Sequence, residues 1–171
     1  MSDKLLSDIK NKALFLLSRR EHSSYELEQK LKRAFRSEDK DENADGASLE
    51  QDAVNTAVDL VLDEMKEAGY LSDTRYAEMV LRARSARGYG ALRVRQELQQ
   101  QNVDSEVIAL CLEAADVDWF ELAKASREKK FGAVSSSMDQ KLRAKQQRFL
   151  YSRGFSSDQI RYALEAQNED L

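Results

Sequence analysis

One short pattern recurs three times in this chain at nearly constant spacing. It reads Arg20-Glu21-His22-Ser23-Ser24-Tyr25-Glu26-Leu27, with Leu31 after it. It returns as Arg87-Gly88-Tyr89-Gly90-Ala91-Leu92-Arg93-Val94 with Leu98, and as Arg153-Gly154-Phe155-Ser156-Ser157-Asp158-Gln159-Ile160 with Leu164. The arginines lie 67 and then 66 residues apart. A fixed period of this kind marks an array of like units. It exceeds the usual solenoid lengths, so each unit must hold more than two helices.

The pattern has the chemistry of a turn between two helices. Gly88 and Gly154 stand where a left-handed C-terminal cap needs a residue without a β-carbon. Glu21 departs from this, so the first turn should differ. Ser23, Gly90 and Ser156 then fall at the N-cap of the following helix. Ser23 with Glu26, and Ser156 with Gln159, have the spacing of capping boxes. His22, Tyr89 and Phe155 precede the caps and lie five positions before Leu27, Val94 and Ile160. That is the spacing of a hydrophobic staple.

The rest of the chain is compatible only with helices. There is no proline and there are six glycines in 171 residues, so helices run without breakers while sheets lack their turn residues. No alternating apolar run suggests a strand. Apolar residues at helical spacing (Val54, Ala57, Val58, Val61, Leu62, Met65) precede Gly69 as a helix stop. Ser72 or Asp73, Asp104 and Asp118 read as further N-caps, Asn102 as a helix end, and Phe131-Gly132 as another. Ser135 to Ser137 read as a linker and N-cap cluster before a helix that carries Leu142, Phe149 and Leu150. Residues 37–52 are acidic and almost without apolar side chains, which predicts a mobile loop. The expected fold is all-α: an elongated, curved array of three tandem three-helix, helix-turn-helix-like repeats, at residues 1–69 (with the acidic loop 37–52), 70–116 and 117–171.

Charge is segregated along this array. Residues 37–78 carry three Lys/Arg against thirteen Asp/Glu, residues 79–101 five against one, and residues 122–153 nine against two. The net charge of −4 excludes a dedicated, strongly basic DNA binder, but local basic surfaces can still meet a polyanion. The candidates are Arg82, Arg84, Arg87, Arg93 and Arg95 around the second turn. To these are added Lys124, Arg127, Lys129, Lys130, Lys141, Arg143, Lys145, Arg148 and Arg153 over two helices of the third repeat. In the central block Glu97 is the one acid, and arginine's planar fork suits phosphate or carboxylate.

Catalytic and metal chemistry find no foothold. Gly88-Tyr89-Gly90 is a cap and not a phosphate-cradling loop. His22 fills a slot that Tyr89 and Phe155 fill elsewhere, so it reads as packing. Cys111 sits among apolar residues and reads as a core filler. One histidine and one cysteine make no ordinary zinc site. Neither enzyme activity nor a cofactor is expected. No apolar run approaches the ~20 residues of a membrane span, and the first residues lack a signal-peptide core. These features predict a cytoplasmic protein.

The motifs together resemble the RecX family, regulators of the RecA recombinase. Arg20, His22, Ser23, Glu26-Leu27 and Lys30-Leu31 match the family's first motif. Gly69 to Ala77 match the second, with Ser72 in place of the usual first acid. Gly88 to Leu98 match the third, and Phe149 to Ile160 the last. Asn102 stands where the family usually has glycine, which should alter only a cap. The acidic loop is longer than the family minimum. The resemblance implies a monomer without a catalytic centre that binds RecA, chiefly as its filament on single-stranded DNA. It further implies inhibition of filament extension, ATP hydrolysis, strand exchange and co-protease activity, and so regulation of recombination, repair and the SOS response. The basic blocks would contact either the filament's acidic protein surface or its DNA, with weak direct DNA binding. The competing readings are a helix-turn-helix DNA-binding protein acting independently of RecA, and a passive helical scaffold.

Overall fold

The computed structural model describes residues 3–36, 44–132 and 139–165, and these are helical throughout, with short turns and no strand. Among the described residues nine helices follow one another: α1 (Asp3–Arg19), α2 (Ser24–Ala34), α3 (Ala44–Glu67), α4 (Asp73–Ala86), α5 (Ala91–Gln100), α6 (Ser105–Glu113), α7 (Trp119–Phe131), α8 (Gln140–Ser152) and α9 (Ser157–Glu165). They gather into two compact units. One comprises Met1–Tyr76 with Gln101–Val103, the other Ala77–Gln100 with Asp104–Leu171.

The helix ends are where local chemistry places them. Gly69, Gly88 and Gly154 take φ of 76°, 78° and 86°, and Asn102 adopts 52°, so asparagine supplies the left-handed residue at that helix end. Behind Gly88 the chain closes a two-bond motif: Gly88 N–H donates to the Ser85 carbonyl at 2.9 Å and Tyr89 N–H to the Arg84 carbonyl at 3.0 Å. Ser72 caps α4 through its hydroxyl, which accepts from Arg75 N–H at 3.2 Å. Asp104 and Asp118 cap α6 and α7 as their positions predict.

Each unit then buries its own apolar stripe. In the first, Ile9 and Ala13 of α1 meet Leu27 and Leu31 of α2. Val54, Ala57, Val58, Val61, Leu62 and Met65 of α3 close over them. In the second, Ala123 of α7, Leu150 of α8 and Phe155, Ile160, Ala163 and Leu164 at α9 form one cluster. Burial of each large side chain contributes roughly 1.5–3 kcal/mol before ordering costs. Two edge-to-face aromatic pairs add to the second unit: Phe131 with Phe149 at 5.4 Å and Phe120 with Tyr162 at 5.5 Å.

Two local expectations are corrected. Residues 44–52 are not loop but the first turns of α3, and residues 37–43 lie outside the described residues. Polarity there reports solvation, since Leu49 and Glu50 are exposed, and says little about whether the backbone is helical. The N-cap of α8 is Asp139, whose carboxylate accepts from Lys141 N–H, while Ser135 to Ser137 lie outside the described residues.

Candidate functional site

The three copies of the motif close their turns in different ways. In the first, Ser23 Oγ accepts from Glu26 N–H at 2.9 Å, the expected half of a capping box. The other half is missing because the Glu26 carboxylate is engaged elsewhere. Arg20 donates to both its oxygens, and Lys30 lies 3.0 Å from one of them. Burial alone would raise the Glu26 pKa, but these cations outweigh it and hold the group at about 2. Asp73 accepts from Ser24 N–H at 2.7 Å, and Arg75 pairs with Glu21 at 2.9 Å. Glu21 therefore exchanges the glycine of the other copies for an ion pair. His22 is buried, with Nδ1 3.0 Å from the Arg20 carbonyl and Nε2 3.1 Å from Lys30 Nζ. Burial lowers its pKa, so this packed imidazole stays neutral.

The second and third turns close on each other. Gly90 N–H donates to the Arg153 carbonyl at 2.8 Å, and Leu92 N–H donates to the Gly154 carbonyl at 3.1 Å. Two first-turn donors of α5 are thus satisfied by the backbone of another repeat in place of a capping side chain. The approach is so close that a Cβ on Gly90 would meet the Gly154 carbonyl oxygen at 2.3 Å. One on Gly154 would meet Arg93 N at 2.4 Å. Arg153 crosses the same junction. It donates to the Arg87 carbonyl at 3.1 Å, and its guanidinium lies 4.4 Å from the Tyr89 ring centroid and 5.1 Å from that of Phe149. The third copy has the complete capping box: Gln159 N–H donates to Ser156 Oγ at 3.3 Å and Ser156 N–H to Gln159 Oε1 at 2.9 Å.

This geometry sorts the candidate cations. Arg84 is spent on Glu97, with bonds of 2.6 and 2.8 Å. Arg153 is spent on the junction. Arg127 is 1% exposed and presents no charge to a partner, which removes it from the candidate surface. It touches Glu128 at 3.3 Å, while its other two guanidinium nitrogens have no hydrogen-bond partner among the described residues. Arg93 lies 5.9 Å over Tyr89, and Lys130 lies 5.1 Å over Phe149. Arg82, Arg87, Lys129, Lys141, Arg143, Lys145 and Arg148 are exposed, and Arg95 and Lys124 half-buried. None of these nine side chains is in an ion pair among the described residues. On α8 four of them share one helix without a single acid, beside Tyr151 at 75% exposure.

Reactive chemistry stays in the background. Cys111 is buried, and burial pushes its thiol pKa up, away from the reactive thiolate. Among the described residues no His, Cys, Asp and Glu gather into a metal site, and no helix is long and apolar enough to cross a membrane.

Comparison with known proteins gives one consistent result. The chain matches three family patterns in order: RecX, first three-helix domain (residues 10–39), second three-helix domain (72–112) and third three-helix domain (116–164). It is 41% identical over 161 residues to the regulatory protein RecX of Vibrio campbellii, covering 94% of this chain and 92% of the relative. The RecX of Halorhodospira halophila is 40% identical over 162 residues, 95% of this chain and 89% of the relative. Among solved structures, RecX from Lactobacillus salivarius superposes with a TM-score of 0.75 at 19% identity, covering 98% and 99% of the two chains. That last likeness speaks for the fold.

Proposed function

The chain belongs to the RecX family of regulatory proteins, and from that premise we propose that it regulates the RecA recombinase by binding its filament on single-stranded DNA. Bound there, it inhibits filament extension, ATP hydrolysis, strand exchange and co-protease activity, and so tempers recombination, repair and the SOS response. It works as a cytoplasmic monomer whose three repeats, at residues 1–69, 70–116 and 117–171, act together. The observation that carries this reading is the family match across all three domains in order.

The sorting of the cations supports a non-catalytic, charge-led contact. A filament on DNA repeats one protein surface and one phosphate spacing along its length. Several weak contacts on one chain then multiply through effective concentration. The side chains proposed for this contact are the nine with neither an ion pair nor a ring contact among the described residues, foremost Lys141, Arg143, Lys145 and Arg148 of α8.

An independent helix-turn-helix reading fits less well. A recognition helix offers its N-terminal residues to base edges. The first turn of α5 is instead occupied by backbone bonds from the third repeat.

The test is RecA ATP hydrolysis on single-stranded DNA during titration of this protein. Loss of activity well below one protein per RecA protomer is expected. Undiminished hydrolysis at excess protein would overturn the proposal.

A further inference from the structure

The three motif arginines occupy equivalent positions, yet only one is left without internal work. Arg20 is neutralised by Glu26, six residues on. Arg153 is held by the Arg87 carbonyl and two aromatic faces. For Arg87 the residue six positions on is Arg93, a like charge, and the next acid along the helix, Glu97, is taken by Arg84. The Arg87 side chain is exposed and has no partner among the described residues.

It lines an open cleft of about 380 Å³ between the end of α4, α7 and α8, all within the second unit. Lys129, Lys130 and Arg153 complete a cationic wall, Leu122 and Phe149 contribute apolar surface, and among the described residues no acid lines the space. The carbonyls at the end of α4 would ordinarily repel an anion. Here four of the five from Arg84 to Gly88 accept hydrogen bonds. Those of Arg84 and Ser85 accept from the turn, that of Arg87 accepts from Arg153, and that of Gly88 accepts from the Ser126 hydroxyl at 3.1 Å.

We infer that this cleft is a docking pocket for an acidic peptide segment of the protein partner, taking one carboxylate onto Arg87 and Lys129 with an adjacent apolar side chain against Leu122 and Phe149. Charge complementarity demands an anion, and the apolar floor demands that it be attached to something apolar. A nucleic acid fits less well. Single-stranded DNA gains its affinity by stacking bases on open aromatic faces. Here Tyr89 is faced by Arg93 and Arg153, and Phe149 by Lys130 and Arg153.

The inference rests on the proposed function in placing the segment on RecA, and its test separates the two. A short fluorescein-labelled peptide of Asp and Glu around a central Phe is titrated with the full chain and followed by anisotropy. Its Asn/Gln counterpart and oligothymidylate serve as competitors. Saturable binding is expected that the amide peptide does not compete for. Arg87→Gln and Lys129→Gln should each weaken it about tenfold, whereas Arg33→Gln, at an exposed position on α2, should leave it unchanged. Both pocket side chains are exposed, so circular dichroism and melting temperature should match the parent. No binding, equal binding by the pocket variants, or displacement by oligothymidylate would overturn the pocket. A chain that inhibits RecA but ignores the peptide refutes the pocket alone. One that binds the peptide without inhibiting RecA refutes the proposed function alone.

Discussion

The first turn and the second turn carry the same motif and solve the same problem with opposite materials. At Arg20–Ser23 the helix donors are satisfied by side chains, Glu26 N–H by Ser23 Oγ and Ser24 N–H by Asp73, while Arg20 and Lys30 share the Glu26 carboxylate and Arg75 pairs with Glu21. At Arg87–Gly90 the donors are satisfied by the backbone of the third repeat, which only glycine allows to approach. A side-chain network consumes cations. A backbone junction leaves Arg87 unspent. The difference teaches that repeated sequence need not mean repeated function, because a repeat that borrows its caps from a neighbour frees its own charges for a partner.

Substitutions should rank by how far they disturb each kind of closure. Gly154→Ala is the most severe, because φ of 86° and a Cβ at 2.4 Å from Arg93 N compound each other. A loss of about 3 kcal/mol is expected in urea unfolding. An unchanged midpoint would break the claim that the two turns interlock. Glu26→Gln should cost about 1–2 kcal/mol near neutral pH, since it strips Arg20 and Lys30 of a shared, largely buried partner.

The pH dependence sharpens the same point. Glu26 has a folded pKa of about 2 against an ordinary value of 4.5. Its contribution is therefore complete above pH 4.5 and is lost as pH falls from 4.5 toward 2. His22 is shifted below 6.5, so the unfolded chain takes up the proton first and stability also erodes as pH drops below 6.5. Denaturation midpoints of parent and Glu26→Gln should converge between pH 4.5 and 2. Parallel curves would show that the network is not what closes the first turn.

The smallest effects come from the other two motif arginines. Arg153→Ala should cost about 1 kcal/mol, for one hydrogen bond and two ring contacts. Arg87→Ala should stay within about 0.5 kcal/mol. Thermal melts of the two variants check the order, and a larger loss at Arg87 than at Arg153 would reverse it.

What could be read from the sequence was what is local. The left-handed glycines, Asn102, and the caps at Ser23, Ser72, Asp104 and Asp118 depend on neighbours within a few residues, and each sits as its spacing implies. Gly90 was readable as an N-cap but not as a close approach, because the residue it must admit, Gly154, lies in another repeat. The one hint was a glycine where serine caps better. Arg127 was hidden among lysines, although it follows Ala123 by four residues and so shares the inward face of α7. The start of α3 was misread because a polar stretch was equated with a loop. Which cations stay unpaired is a property of contacts across helices, and composition counts them all alike.

The most direct test of the central claim compares Arg20→Gln and Arg87→Gln for stability and for inhibition of RecA ATP hydrolysis on single-stranded DNA. The account predicts that Arg87→Gln melts like the parent but inhibits more weakly, while Arg20→Gln loses stability and, where still folded, inhibits like the parent. Full inhibition by Arg87→Gln would contradict it.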